Sequence, residues 1–109
     1  MAKGKDHYHI YVIELSSEVV KNKRFAKENR GFNPFLPCYY VGMTGLTPEE
    51  RFDNHKKGYK SNYFAHKYGI RLVPKIYSKY NPMPYKKAAE REVLMANALR
   101  HRGHGVWQN

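Results

Sequence analysis

Apolar side chains fall on both faces of residues 7–15, His-Tyr-His-Ile-Tyr-Val-Ile-Glu-Leu. β-Branched and aromatic residues dominate the run, which predicts a strand. His7, His9, Tyr11, Ile13 and Leu15 alternate with Tyr8, Ile10, Val12 and Glu14, so neither face is wholly polar and the strand is expected inside a sheet. Residues 38–43 repeat the pattern as Cys-Tyr-Tyr-Val-Gly-Met and run into Gly42 and Gly45. Residues 70–78 predict a third strand, with Pro74 pointing to an edge position or an interruption.

Helical periodicity accounts for the rest. Ser16 and Ser17 offer caps for a helix through about Lys27, and residues 29–37 then turn to loop chemistry. Thr47-Pro48-Glu49-Glu50 carries a capping box with proline at the first helical position, predicting a helix from Pro48 to about Lys57, ended by Gly58. Ser61 is expected to cap a short helix over 61–68, stopped at Gly69. The longest helix is expected over 85–102, stopped at Gly103, with Ala88, Ala89, Val93, Met95, Ala96 and Leu99 inward. Val106 and Trp107 return as a short strand or a packed tail.

One residue breaks this last pattern. At roughly 100° per residue, Ala88, Met95, Ala96 and Leu99 surround Glu92, whereas Glu90 lies among Lys86, Lys87, Arg91 and Asn97. A carboxylate centred on a core face costs several kcal/mol (about 3–5 when its partner is lost) unless it is paired or bound to a cation. An ion pair with Arg51 or a rotated helix face is the bland account; metal binding or catalysis is the favoured one.

Length and charge sharpen the picture. The 109 residues suit a single domain over 1–109, with room for one modest core. Twenty Lys+Arg against nine Asp+Glu give +11, a field that attracts polyanions, nucleic acid first among them. No apolar run suits a membrane span, and the start of the chain leads into no signal-peptide core, so a cytoplasmic location is the default. Cys38 is the one cysteine, which excludes an intrachain disulfide, and it is expected as packing. His7 and His9 share a strand face and His101 and His104 are close in sequence, but no paired Cys/His spacing supports zinc.

The candidate chemistry gathers around the second strand and its helix. Arg51 and His55 are four apart on one helix face. Arg51 offers a forked permanent charge for a phosphate, His55 a proton relay near neutral pH, and Glu92 a ligand for Mg²⁺ or Mn²⁺. Tyr11 or Tyr40 supplies a phenol whose ordinary pKa of about 10 needs lowering by a neighbouring charge. Lys21, Lys23 and Arg24, with Lys56, Lys57 and Lys60 near the exit of the arginine–histidine helix, are candidate phosphate contacts; a solvated surface is their alternative.

His9-Ile10-Tyr11, Tyr40-Val41-Gly42, Arg51-x-x-x-His55-x-x-Gly58, Glu92 and the terminal Asn109 occur in an order that resembles the GIY-YIG nuclease superfamily over residues 7–109. The resemblance implies a small α/β (α+β) domain, a three-stranded antiparallel sheet flanked by helices. It also implies metal-dependent hydrolysis of DNA phosphodiesters at one divalent cation on Glu92, with Tyr11 as first choice of general base and Tyr40 as second. Gly42 and Asn109 fill supporting positions. His9 stands where the family has glycine, and Met43 where some members carry lysine. The connection between the first two strands, a basic insertion at about 16–37, is long for the family. Specificity is then expected from the module itself, from a homodimer or from a separate partner. The alternative is a non-catalytic basic module that binds DNA or RNA and retains the fold.

Overall fold

The computed structural model describes residues 6–109. The start of the chain, read above as leading into no signal-peptide core, lies outside them. The architecture is α+β: a four-stranded mixed sheet in the order β3-β1-β2-β4 with helices packed on it.

Strand β1, His9–Leu15, pairs antiparallel with β2, Cys38–Thr44, and its other edge pairs antiparallel with the short β3, Gly69–Leu72. Both β1 and β2 are internal, as apolar residues on both faces require. Beyond β3 the edge of β1 is completed by a side chain. Asn81 accepts from the Ile10 N–H at 2.9 Å and donates to the Ile10 carbonyl at 2.8 Å, so neither backbone group is left unpaired.

The expectation of a three-stranded, wholly antiparallel sheet is corrected by β4, Val106–Gln108, which lies parallel to β2. A connection that runs the full length of a helix brings the chain back to the end from which β2 starts, and that return makes a parallel neighbour. The third strand is also shorter than 70–78. It ends at Leu72, and Pro74 opens a one-turn helix, α4, Pro74–Tyr77. Proline has no N–H for a strand ladder, and its fixed φ suits the first helical position.

Between β1 and β2 the expected single helix is two pieces, a 3₁₀ turn at Ser17–Lys21 and α1 at Lys23–Glu28. Asn22 divides them: its side chain accepts from the Phe25 N–H at 3.1 Å and starts a new helix. Helix α2, Pro48–Lys57, carries the anticipated capping box between Thr47 and Glu50, and Gly58 ends it at φ 83°. Helix α3, Tyr63–Tyr68, is capped by Asn62 rather than Ser61.

A further 3₁₀ turn, Ser78–Tyr80, precedes helix α5, Tyr85–His101, which buries Ala88, Glu92, Met95, Ala96 and Leu99. Val93 is a correction: it is 45% exposed, because the buried stripe is centred on Glu92 and one further residue turns Val93 off it. Cys38 is free and buried. Among the described residues no helix is long and apolar enough to cross a membrane.

Candidate active site

Register places the two tyrosines together. Tyr11 pairs with Gly42 and Ile13 with Tyr40, and directly opposed residues share a face of the sheet. Tyr11 and Tyr40 therefore project from one face, with ring centroids 6.0 Å apart and both rings buried. Gly42 makes room for the first of them: a β-carbon there would lie 2.7 Å from Tyr11 Oη and 2.8 Å from Cζ.

Helix α2 lowers His55 onto this pair. His55 is fully buried, 2.8 Å from Tyr11 Oη through Nε2, and edge-on to the Tyr40 ring at 5.3 Å between centroids. The backbone N–H of Asn62 donates to His55 Nδ1 at 3.1 Å. A backbone N–H can only donate, so Nδ1 is the acceptor and Nε2 carries the proton of the neutral ring. His55 is thus a donor to Tyr11 Oη. Burial, joined by the nearby Arg51 and His66 charges, pulls its pKa down to about 4, so the ring is neutral at pH 7.

Burial pushes the Tyr11 hydroxyl up to about 12, against the opposing pull of the Arg51 guanidinium. Burial, with Tyr11 alongside, pushes Tyr40 up as well. Tyr40 Oη is buried without a hydrogen-bond partner among the described residues. Arg51, one turn before His55, donates to the Lys60 carbonyl at 2.8 Å and to the Tyr59 carbonyl at 3.5 Å. It makes no ion pair with Glu92 among the described residues. Its charge still reaches both Tyr11 and His55.

Glu92 arrives from α5 and is 7% exposed. Gln108 Nε2 donates to its Oε1 at 3.0 Å, while Oε2 is buried with no partner among the described residues. Burial raises its pKa above the ordinary carboxylate range, with the hydrogen bond from Gln108 opposing. The carboxylate is close enough to both tyrosines to push their hydroxyls further up. Strands β1 and β2 and helices α2 and α5 thus bring Tyr11, Tyr40, Arg51, His55 and Glu92 to one region.

An orphaned, buried carboxylate oxygen fits a hard cation held by one protein ligand and several waters. No group of three or more His, Cys, Asp or Glu side chains able to hold a metal occurs among the described residues. Glu92 would be the protein ligand here, with Gln108 orienting it.

The remaining candidates are distributed differently. Lys21 is paired with Glu18 and Lys57 with Asp53. Lys56 Nζ donates to the carbonyls of His66 and Gly69 at 3.0 and 2.8 Å, tying α2 to the start of β3. The Arg24 guanidinium lies over the Phe64 and Trp107 rings, at 5.5 and 5.3 Å. Lys23 is exposed, and Lys60 lies over the Tyr59 ring. His9 is half-buried opposite Thr44, with Nδ1 lacking a partner among the described residues. Asn109 is exposed, and its backbone N–H extends the β2–β4 pairing through the Val41 carbonyl.

Two site residues escape the sequence patterns. Gln108 orients Glu92, and Asn62 fixes the His55 tautomer through its backbone while its side chain caps α3. Asn62 carried a readable signal, being as good a cap as the neighbouring Ser61. Gln108 carried none, because its role depends on β4 pairing parallel to β2. No protein-family model, curated protein or solved structure matches this chain.

Proposed function

We propose that the chain is a metal-dependent endonuclease of the GIY-YIG type that hydrolyses phosphodiester bonds in DNA. The observation that carries this reading is Glu92: a buried carboxylate with one oxygen unpartnered, near two buried tyrosines, the first of which is bonded to a neutral histidine and within reach of the Arg51 charge. A purely structural helix gains nothing from a carboxylate there.

In this reading Glu92 holds a Mg²⁺ or Mn²⁺ ion. Such an ion supplies positive charge for the phosphate oxygens and acidifies water. Tyr11 would act as its phenolate: the hydroxyl first gives up its proton to solvent, and the Oη anion then takes one from the attacking water and ends as the phenol. The His55 Nε2–H already donates to that oxygen, and so stabilises the phenolate before it takes the proton. Arg51 favours the same charge, and its N–H groups beyond the two given to loop carbonyls are available to a phosphate. Tyr40 Oη, unpartnered, would donate to an oxygen of the reacting group.

A second reading is a non-catalytic nucleic-acid-binding module. The Arg51 guanidinium bonded to loop carbonyls and the Tyr11 hydroxyl pushed up to about 12 favour it. Cleavage of plasmid, linear, branched, single-stranded and damaged DNA, and of RNA, with Mg²⁺, Mn²⁺ or chelator separates the two. Metal-dependent cutting of DNA that Glu92→Gln and Tyr11→Phe abolish supports the nuclease. Cutting by Glu92→Gln sinks the metal assignment, and binding without any cutting leaves the module a binder.

A further inference from the structure

We infer that residues 58–63 form a base-stacking platform beside the Tyr11–His55–Arg51 site, so that the DNA taken there carries unpaired bases. This rests on the reading that a polynucleotide binds at that site.

Tyr59 and Tyr63 are 57% and 46% exposed, on either side of the Asn62 cap. Each ring has a lysine over it, Lys60 at 5.5 Å from the Tyr59 centroid and Lys67 at 5.7 Å from that of Tyr63. Asp53 is the one carboxylate in residues 53–68, and it is paired with Lys57. Partly exposed aromatic rings interleaved with lysines that pair with no carboxylate among the described residues match stacked bases and their phosphates.

The platform is also stiff. The Tyr59 N–H donates to the Asn54 carbonyl at 2.9 Å, and Arg51 donates to the carbonyls of Tyr59 and Lys60. Lys60 has φ 46°, a left-handed conformation that a lysine rarely adopts. The same guanidinium whose charge reaches Tyr11 holds this strained residue in place, so the backbone that carries the Tyr59 ring is fixed relative to the Tyr11 site. A ring on a fixed backbone has less conformational freedom to lose when a base stacks on it. In a duplex both faces of each base are covered by neighbours, so such rings find partners only where bases are unpaired.

The test uses the whole chain with chelator present, so that binding is measured without cleavage. The probes are a labelled DNA single strand, the same sequence as duplex, and an abasic strand of equal length. Tyr59→Ala and Tyr63→Ala are each expected to weaken single-strand binding about 5- to 100-fold. Affinity for duplex and abasic strand should change less than about 2-fold, and Tyr59→Phe should bind as the parent while Tyr59→Leu does not. Equal losses on base-bearing and abasic strands, equal losses on duplex, or no loss in variants with unchanged melting temperature overturn the platform. Should the chain cut nothing with Mg²⁺ while this pattern holds, the hydrolase reading falls and the platform stands. Cutting without the base dependence overturns the platform alone, and failure to bind any of the probes overturns both.

Discussion

Tyr11 and Gly42 face each other across β1 and β2, and the absence of a side chain at residue 42 is what lets the Tyr11 phenol lie across β2 to reach His55. The ring is buried and bonded to His55, so it has little room to move aside. Gly42→Ala is therefore expected to lower stability by about 1–3 kcal/mol through overpacking, and to remove activity with it. Gly31→Ala is the control: φ is 82° but nothing lies within 4 Å, so strain alone acts there, at about 1 kcal/mol. Urea unfolding of both variants checks this; equal, small losses would show that Tyr11 yields easily.

Glu92→Gln should stabilise the apo chain at neutral pH while abolishing cleavage. The folded-state pKa of Glu92 is raised. Its contribution to stability is complete below the unfolded carboxylate value and is lost as pH rises through the folded one. Glutamine removes that loss, so the variant should be the more stable of the two at pH 7. Adding Mn²⁺ should raise the melting temperature of the parent and leave that of Glu92→Gln unchanged. A parent that melts independently of divalent cations would argue against a cation on Glu92.

His55 makes the fold sensitive to acid. Its pKa falls from 6.5 in the unfolded chain to about 4 in the folded one, chiefly by burial. Between those values the unfolded state binds the extra proton, so stability rises with pH across the window and is lost as pH falls through it. The full effect is up to about 3 kcal/mol. Urea titrations from pH 4 to 6.5 should show this slope in the parent and a flatter one in His55→Asn. Parallel slopes would place the acid sensitivity elsewhere.

The lysines should divide by their partners. Lys23→Gln and Lys60→Gln are each expected to reduce the slope of log affinity against log salt for DNA by about 1, with little change in stability. Lys56→Gln should act on stability instead, because its ammonium joins α2 to two carbonyls near β3. A Lys56→Gln variant that melts like the parent and loses salt dependence would return this lysine to the phosphate-binding set.

Local chemistry was legible wherever it acts over a few residues. The capping box at Thr47 and Glu50, the end of α2 at Gly58, and the conflict between Glu92 and its apolar neighbours all follow from spacing on one helix. Elements whose limits depend on competition were less legible. Asn22 splits the first helical segment because its side chain caps as well as Ser16 does, and Pro74 ends a strand that apolar alternation would have carried further.

The sequence by itself determined β1, β2, α2 and α5, the isolation of Glu92 on a core face and the turn that puts Arg51 and His55 together, since each depends on one continuous backbone geometry. Only the tertiary structure decided that β4 runs parallel to β2 and that Gln108 orients Glu92. The same is true of the Asn62 N–H that makes His55 a donor, and of the Arg51 guanidinium that holds a loop as well as facing Tyr11. Those relationships join residues far apart in the chain or across a loop, and hydrogen bonds to backbone groups carry no residue pattern from which they could be read.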